Sequence, residues 1–403
     1  MTTIAGAGCS LIDYIHTGVD FSSPEFAALR SRNPGDGGLE PGALVFAEDF
    51  ERFAGRDLDD ALMPLLRGRA PDACNIGGPG VVSLIHAAQI LYDAGTSSDQ
   101  RFSVSFRGVV GDDPDADHLR AMLGSNRIEI SGCLSKPGKT PFTLVLSDSG
   151  YDRGRGERSF INEIGAAASF QASDLPEAFF DSTIVTFGGT ALTPALHDSL
   201  DGLLARAKSR GALTIVNTVY DYRNQRRDPV GRWPLGSRDE AWPSIDLLIT
   251  DLEEARRLSG RPDATGALAF FRDRGVGAAV VTAGTSEIFA ASWTGERFAP
   301  APERTFPVSG AIVRELADHP ERRGDTTGCG DNFAGGLIAS AAMQLDSGAP
   351  KIDLKETLAW GAASGGFACF HVGGVWLEPC PGDKRRLLEP YVEAWRRQVE
   401  AAR

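Results

Sequence analysis

The sequence has little of what several protein classes require. Its six cysteines are scattered over 403 residues without a C-x-x-C pair, so neither a disulfide scaffold nor a cysteine-based zinc site is expected. No apolar run reaches the roughly 20 residues of a membrane span. The first residues carry no basic segment, and their apolar stretch ends at Asp13. We therefore expect no secretion signal, no membrane partner and a cytoplasmic protein.

Lysine is also scarce, with only 6 among the 41 basic residues, and the formal net charge is −13. An acidic surface repels phosphate backbones, so general binding to nucleic acid is not expected. Small phosphorylated ligands remain open, because a local group of backbone amides can hold an anion against the overall charge. The hydrophobic fraction of 42% supplies enough apolar material for a large core, which excludes disorder as the main state.

Short β-rich runs alternate with helix-like stretches along the chain. This alternation predicts an α/β fold with a mostly parallel sheet covered by helices on both faces. The predicted strands are Thr3–Ala7, Phe102–Val110, Phe142–Leu146, Thr183–Phe187, Leu213–Asn217, Leu247–Thr250 and Ala278–Thr282, and the predicted helices are Val81–Ala94, Asp115–Leu123, Ala195–Arg210, Glu253–Leu258, Thr265–Arg274 and Asp331–Leu345, with a final amphipathic helix in Cys380–Arg403.

Two regions interrupt this alternation. Residues 14–72 are long, charged and rich in Pro and Gly, and residues 136–165 alternate apolar and polar positions around a Gly/Arg turn, which predicts a β-hairpin. A hairpin inside an α/β pattern tends to protrude as a lid or as a contact of a homodimer. No linker separates the chain into parts, so we expect one domain over 1–403, with a lid formed by parts of 14–72 and about 136–165.

Residues 324–336, with the sequence GDTTGCGDNFAGG, carry the clearest chemistry. A glycine-rich turn leads directly into an apolar helix, so its backbone amides and the positive end of the helix dipole form an anion site. Asp331 at the mouth of this site would not itself bind an anion. It is better explained as a general base that takes a proton from an attacking hydroxyl. Together these features predict phosphoryl transfer to an alcohol. The alternative is a simple turn in which Asp331 caps the helix.

The segment 325–333 resembles the D-T-x-G-A-G-D-x-F motif of the ribokinase-like (PfkB) carbohydrate kinase family, which includes adenosine kinases. The resemblance implies that Asp331 is the catalytic base and that the amides of Gly328, Cys329 and Gly330 form the anion hole. Cys329 replaces the usual Ala, a small change where the backbone carries the function. It also implies a three-layer α/β/α sandwich, with a mostly parallel central sheet and a small β-sheet lid.

The resemblance implies substrate-binding residues near the start of the chain. Asp13 would bind sugar hydroxyls at the end of the first strand. The stretch 75–80 is similar to the family motif G-G-x-x-x-N-x-A, in which Gly77 and Gly78 let backbone amides approach the ligand. Val82 stands where the family has a substrate-binding Asn, and Asn75 could compensate from another direction. As alternatives, each residue could serve only a loop.

Further matches concern the lid and a metal ion. Arg158 and Asn162 lie in the predicted hairpin and could reach substrate or phosphate, although charged hairpin residues are often only solvated. Residues 251–254 are similar to the N-x-x-E motif, with Asp in place of Asn, so the resemblance implies that Asp251 and Glu254 support Mg²⁺ through water. The alternative is an acidic helix N-terminus that complements the dipole.

The nucleotide side is implied by weaker similarity. Thr282, Gly284 and Thr285 would border ATP. Small residues at Ala363 and Gly374 would leave room for adenine. The sequence contains no G-x-x-x-x-G-K-[ST] motif, which argues against a P-loop kinase.

The family's monovalent-cation site would place Asp325 and Thr327 near a potassium ion. The cofactors implied by the resemblance are therefore ATP, Mg²⁺ and K⁺. The substrate side remains open between a small sugar and a nucleoside.

The expected activity is transfer of the ATP γ-phosphoryl group to a hydroxyl of a small sugar or sugar-like molecule. Two alternatives stay open at this point. A nucleoside kinase would need an aromatic pocket, for which Phe21, Phe46 and Phe50 are candidates within 14–72. A binding protein without catalysis on the same fold would be consistent with the replacements at Val82 and Asp251.

Overall fold

The computed structural model describes residues 1–33, 35–92, 101–154 and 156–402. The strands are β1 Thr2–Gly8, β2 Leu11–His16, β3 Leu44–Phe46, β4 Ala73–Gly77, β5 Phe102–Val110, β6 Cys133–Ser135, β7 Phe142–Asp148, β8 Glu157–Glu163, β9 Ile184–Gly188, β10 Leu213–Asn217, β11 Leu247–Asp251, β12 Ala278–Ala283, β13 Glu287–Ser292 and β14 Ala301–Pro307. The helices are α1 Pro24–Leu29, α2 Ala47–Ala54, α3 Leu58–Leu66, α4 Pro79–Leu91, α5 Pro114–Gly124, the short turn α6 Tyr151–Gly154, α7 Pro194–His197, α8 Leu200–Ser209, α9 Tyr222–Arg227, α10 Leu252–Ser259, α11 Ala264–Asp273, α12 Gly310–Asp318, α13 Cys329–Asp346, α14 Leu354–Phe367 and α15 Asp383–Ala401.

The larger sheet has nine strands in the order β14-β13-β12-β11-β10-β9-β1-β5-β6. The seven strands β12, β11, β10, β9, β1, β5 and β6 run parallel to one another, whereas β13 and β14 form an antiparallel edge. The central strands are buried on both faces, as Ile184–Gly188 illustrates, which is why they are continuously apolar in sequence. The parallel strands end at one common edge, where ligands bind in open α/β sheets.

Helices cover both faces of this sheet and complete a three-layer sandwich. One apolar cluster joins α4, α5, α13, α14 and α15 to the sheet, and a second joins α8, α10 and α11 to its other face. The predicted fold class is confirmed. Within the described residues, no helix combines the length and the apolar character needed to cross a membrane.

A second sheet of five strands, in the order β3-β8-β7-β2-β4, lies beside the carboxyl edge of the first. Its apolar face packs on the helices of 24–66 through residues such as Leu146 and Ile161. Its other face carries polar side chains. The helices thus cover the outer face of this sheet, and the predicted homodimer contact through it stays a prediction.

The structure differs from the predicted elements at several positions. Asp13 is not at the end of the first strand: β1 ends at Gly8, and Asp13 lies within β2 of the second sheet. The stretch Ala195–Arg210 forms two helices, because the chain turns between His197 and Leu200. Ala94, the predicted end of α4, lies outside the described residues, as do Arg155 of the predicted hairpin turn and Arg403 of the tail.

Helices α4 and α13 pack unusually closely. A Cβ atom added to Gly335 would lie 2.5 Å from the carbonyl oxygen of Ser83 and 2.8 Å from Cβ of His86, both on α4. Contacts shorter than 3.0 Å to backbone require the helices to move apart. Gly335 therefore sets the distance between two helices whose N-termini both open toward the second sheet.

We predict that Gly335→Ala lowers the free energy of unfolding by about 1–3 kcal/mol, because the added methyl group overpacks this interface. The measurement is the midpoint of urea unfolding. Gly202→Ala is the matched control, since Gly202 is exposed within α8 and an added Cβ meets nothing within 4 Å. This control should gain up to about 1 kcal/mol from the better helix propensity. Equal effects of the two substitutions would contradict the close packing of α4 and α13.

Candidate active site

A cavity of about 570 Å³ lies between the carboxyl edge of the nine-stranded sheet and the polar face of the five-stranded sheet. Polar residues and glycines from separate parts of the chain line it. Among the residues predicted for the site, those that line it are Asp13, Gly77, Gly78, Arg158, Asn162, Asp251, Glu254, Thr282, Thr327, Gly328, Gly330, Asp331 and Gly374.

The glycine-rich segment enters α13 at the wall of this cavity. Gly328 caps the helix with φ +73°, a conformation that favours glycine, and Cys329 begins the helix. The amide of Cys329 already donates to the carbonyl of Thr326 at 3.4 Å, so this amide is less available than the prediction assumed. The amide of Asn332 donates to the carbonyl of Gly328 at 2.8 Å, whereas the first-turn amides of Gly330 and Asp331 are at positions where a helix supplies no backbone acceptor and can face an anion.

Asp331 lies in the first turn of α13 and opens into the cavity. Burial raises the pKa of Asp331 to about 6, and the neighbouring Asn217 side chain opposes this shift. A carboxylate with a pKa near neutrality is suited to accept a proton under physiological conditions. Asn217 ends β10 and also lines the cavity.

Asp13 faces the cavity from the second sheet. The strand register aligns it with Thr143 of β7, which in turn pairs with Asn162 of β8. These three polar side chains therefore share one face across adjacent strands. A Cβ on Gly77 would lie 2.4 Å from Oδ2 of Asp13, so glycine is needed for this carboxylate to sit against the backbone.

Burial raises the pKa of Asp13 to about 8, the charge of Asp331 adds to the shift, then that of Asp325, and the charge of Arg158 opposes it. The carboxyl is buried, at 5% exposure. Burying Asp13 near a second acid destabilises the folded state, so this pair is a candidate for a functional role.

Asn162 donates to the hydroxyl of Thr143 at 2.9 Å, which fixes the orientation of its amide. Its Oδ1 is buried and finds no hydrogen-bond partner in the described part of the chain. A buried acceptor without a partner costs free energy, and a ligand hydroxyl would satisfy it.

Arg158 connects the second sheet to the glycine-rich segment. Its guanidinium donates to the hydroxyl of Thr327 at 2.5 Å and also to that of Thr326. A further contact joins the sheet to the core where the amide of Leu44 donates to the hydroxyl of Tyr222 at 3.1 Å. The second sheet is thus seated over the cavity.

Asp251 and Glu254 form a capping box at the start of α10: Glu254 N–H donates to Asp251 Oδ1 at 2.8 Å, and Asp251 N–H donates to Glu254 Oε2 at 3.3 Å. Glu254 also accepts from the hydroxyls of Thr218, at 2.5 Å, and Thr250, at 3.2 Å. The helix-capping alternative for these acids is therefore present in the structure.

The same pair also fits a cation. Burial raises the pKa of Glu254 to about 8, and the charge of Asp251 adds to the shift. Both residues line the cavity, and each carboxylate keeps an oxygen that the capping box does not use. Two adjacent carboxylates offer the oxygen ligands that Mg²⁺ prefers.

Several predicted residues do not reach the cavity. Asn75 donates to the carbonyls of Val372 and Val375 at 3.2 and 3.1 Å, so its amide holds a loop instead of facing a ligand. Ala363 is fully buried in the core where α14 packs against α13. Gly284 and Thr285 are exposed in the turn between β12 and β13.

Asp325 braces the glycine-rich loop. Its Oδ1 accepts from the amides of Thr327, at 2.9 Å, and Gly373, at 3.3 Å, and its Oδ2 accepts from the hydroxyl of Thr327 at 2.9 Å. These bonds account for Asp325 and Thr327 as loop residues. They add nothing that favours the predicted potassium ion.

A buried polar group supports the loop from behind. The amide of Asn332 donates to the carbonyls of Gly328 and Gly374, each at 2.8 Å. Nζ of Lys384, which is fully buried, donates to Oδ1 of Asn332 at 3.3 Å and to Gln89 at 3.0 Å. This chain of bonds fixes two loops that line the cavity.

The sequence analysis missed part of the lining. Asn217 ends β10 and Thr218 follows it, Leu44 lies within residues 14–72, Tyr220 precedes α9, and Tyr222 opens that helix. A polar residue at the carboxyl end of a buried parallel strand was an available signal for Asn217. The aromatic residues carried no such signal, because only the fold places them at the cavity.

Comparison with solved structures shows the same fold. The chain is similar to the adenosine kinase from Sinorhizobium meliloti (TM-score 0.67, 17% identity, covering 96% of this chain and 98% of that one). It is similar to an adenosine kinase from Schistosoma mansoni in complex with 2-fluoroadenosine (TM-score 0.67, 14% identity, 93% and 96% covered). A putative ribokinase II from E. coli in complex with ATP and Mg²⁺ also matches (TM-score 0.62, 16% identity, 98% and 99% covered).

No curated protein sequence matches this chain significantly. The family model described as pfkB family carbohydrate kinase matches residues 76–376, which is most of the chain and includes the glycine-rich segment. With the sandwich, the second sheet and the loop at the start of α13, this match shows that the chain belongs to the pfkB family of carbohydrate kinases.

Proposed function

We propose that this protein transfers the γ-phosphoryl group of ATP to a hydroxyl of a small sugar or sugar-like molecule. The observation that carries the proposal is the position of Asp331. It lies at the N-terminus of α13, opens into the cavity between the two sheets and has a pKa raised to about 6 by burial. The proton acceptor and the anion site thus lie next to each other in the first turn of one helix.

The acceptor would bind on the side of the second sheet. Asp13 and the Oδ1 of Asn162 would accept hydrogen bonds from its hydroxyl groups, and the backbone at Gly77 and Gly78 would approach its ring. Asp331 would take the proton from the attacking hydroxyl. The oxygen of that hydroxyl then forms the new bond to phosphorus while the bond between the γ-phosphorus and the bridging β-phosphate oxygen breaks, leaving ADP.

The nucleotide would bind along the edge of the larger sheet, near Thr282 and Gly374. The first-turn amides next to Gly328 and Gly330 would stabilise charge on the transferring group. Asp251 and Glu254 would hold Mg²⁺ directly or through water, and the bound ion would neutralise charge on the nucleotide phosphates. The E. coli neighbour in complex with ATP and Mg²⁺ supports this proposal at the level of the fold.

Arg158 would link acceptor binding to the anion site. Its bonds to Thr326 and Thr327 hold the second sheet over the cavity. A seated lid excludes water, which limits the transfer of the phosphoryl group to water instead of the acceptor.

A nucleoside is the second candidate acceptor, because the aromatic rings of Phe160, Tyr220 and Tyr222 line the cavity. The three phenylalanines expected from the sequence to form an aromatic pocket do not line the cavity. Phe21 and Phe50 are buried in the apolar cluster of the lid, and Phe46 packs edge-on against Tyr222 at 5.2 Å between ring centroids.

We predict that Asp331→Asn lowers kcat by about 10²- to 10⁴-fold, because the variant cannot accept the proton. The measurement is acceptor-dependent ADP release from Mg·ATP across a panel of sugars, sugar acids and nucleosides. Asp117→Asn is the matched control, since Asp117 also lies in the first turn of a helix but is exposed and away from the cavity. Near-full turnover by Asp331→Asn would contradict the assignment of the base. If no acceptor in the panel causes ADP release by the wild type, the proposed function is wrong.

We predict that kcat/KM for the acceptor, measured at saturating Mg·ATP, decreases as pH falls through about 6. The reason is that Asp331 must be deprotonated to act as a base, and its pKa is raised to about 6. The profile is measured between pH 5 and 8 at constant ionic strength. A limb centred near pH 4, the value of an ordinary aspartate, would show that this raised pKa does not control the reaction.

We predict that Asp13→Asn makes the protein more stable above pH 4 while it impairs activity. The pKa of Asp13 is raised to about 8 in the folded state, so the folded protein retains a proton that the unfolded chain loses near pH 4. The wild type therefore loses free energy of unfolding as pH rises from about 4 to 8. The Asp13→Asn variant has no carboxyl at this position and does not show this loss. The gain in unfolding midpoint over the wild type should grow across this window.

In the same variant, kcat/KM measured above about pH 8, where the wild-type Asp13 carboxyl is ionised, should fall roughly 10- to 100-fold, because a charge-assisted hydrogen bond to the acceptor is lost. Asp117→Asn again serves as the control and should show no gain that depends on pH. A stability difference for Asp13→Asn that stays constant from pH 4 to 8 would contradict the raised pKa of Asp13.

A further inference from the structure

Two thiols meet beside the glycine-rich loop. Sγ of Cys329, the first residue of α13, lies 3.6 Å from Sγ of Cys369, which belongs to the 3₁₀ turn Ala368–Phe370 after α14. Both residues are partly exposed, whereas Cys9 and Cys133 are buried. A disulfide bond is about 2.05 Å long, so the two sulfur atoms need to approach by only about 1.5 Å.

The backbone holds these thiols close together. The amide of Gly324 donates to the carbonyl of Cys369 at 2.8 Å, and the amide of Asp325 donates to the carbonyl of His371 at 3.0 Å. The segment that precedes α13 is thereby fixed to the segment that carries Cys369. The backbone bonds of the fold thus keep the segments that carry the two thiols next to each other.

We propose that Cys329 and Cys369 form an oxidative modification site, at which a hydroperoxide converts the thiol pair to a disulfide that impairs the glycine-rich loop. Cys369 is the attacking residue and Cys329 the resolving one. The modification goes beyond the proposed function, and only its effect on turnover rests on that function.

The reaction balances in two steps. The thiolate of Cys369 attacks one oxygen of hydrogen peroxide, the O–O bond breaks, and a sulfenic acid and hydroxide form. The sulfur of Cys329 then attacks the sulfenic sulfur, the S–O bond breaks, and the released hydroxyl leaves as water with the thiol proton. In total two thiols lose two electrons and two protons, and one peroxide becomes two waters.

The surroundings favour Cys369 as the attacking residue. The hydrogen bond from Cys329 lowers the pKa of Cys369 to about 7, and the positive charges of Arg323 and Arg158 also lower it, against burial and Asp325. Attack requires the thiolate form, which cationic neighbours and a partly exposed position promote.

The disulfide would act on the loop through Cys329. This residue lies between Gly328 and Gly330, so a sulfur displaced by about 1.5 Å pulls on the turn whose amides face the cavity. Anion sites depend on amide positions to within about 0.5 Å. Oxidation is therefore expected to lower turnover, and reduction to restore it.

The first test needs no activity. The full-length protein is titrated with hydrogen peroxide, unreacted thiols are alkylated, and peptides are analysed by mass spectrometry. We expect a peptide pair joined through Cys329 and Cys369 at peroxide concentrations that leave the exposed Cys74 and Cys380 mostly reduced. Absence of this crosslink, or oxidation of all exposed cysteines at the same rate, would overturn the proposal.

The second test measures the consequence. Peroxide should reduce acceptor-dependent turnover at least tenfold in the wild type, dithiothreitol should restore it, and Cys369→Ser should be protected. A crosslinked wild-type protein with unchanged turnover would overturn the claim that the loop is impaired. If no acceptor is turned over at all, the proposed function fails, while the crosslink and its absence in Cys369→Ser still decide the modification site.

Discussion

The close approach of α4 and α13 is the constraint on which the site depends. Gly335 lets α13 pack against the backbone of Ser83, and this contact brings the N-termini of both helices to the carboxyl edge of the large sheet. The Gly77-Gly78 segment then leads into one helix and the Gly328 turn into the other. Helix N-termini present unpaired amides, so their convergence creates one region that favours negative charge.

Negative charge from the protein itself enters the same region. Asp13 comes from the second sheet and Asp331 from α13, and burial raises the pKa of both. Two buried acids destabilise the folded state, which is typical of sites where function opposes stability. The buried network of Asn332 and Lys384 acts in the other direction, because it fixes the carbonyls of Gly328 and Gly374 and keeps the loops in place under this strain.

The second sheet makes the cavity, and its pattern of alternation explains how. Leu146 and Ile161 point to helices α1 to α3, while Asp13, Thr143 and Asn162 point to the cavity. A shift of one residue in the register would exchange these two sets of side chains. The side chains proposed to bind the acceptor and the strands proposed to form the lid thus belong to the same sheet. Members of one fold can therefore differ in acceptor through changes at a few inward positions.

The sequence by itself determined the fold class and the main catalytic candidate. Alternating apolar strands and helices predict the layered sheet, and the glycine-rich turn before an apolar helix predicts the anion site with Asp331, because both signals are local in the chain. Only the tertiary structure decided which distant residues meet. In the structure, Asp13 lies in the second sheet, the Asn75 amide donates to a loop carbonyl, and Ala363 is buried. Asn217 and Cys369 lie beside the glycine-rich segment. These outcomes depend on strand order, register and helix packing between segments up to about 300 residues apart, as for Asn75 and Val375, and no local pattern encodes them.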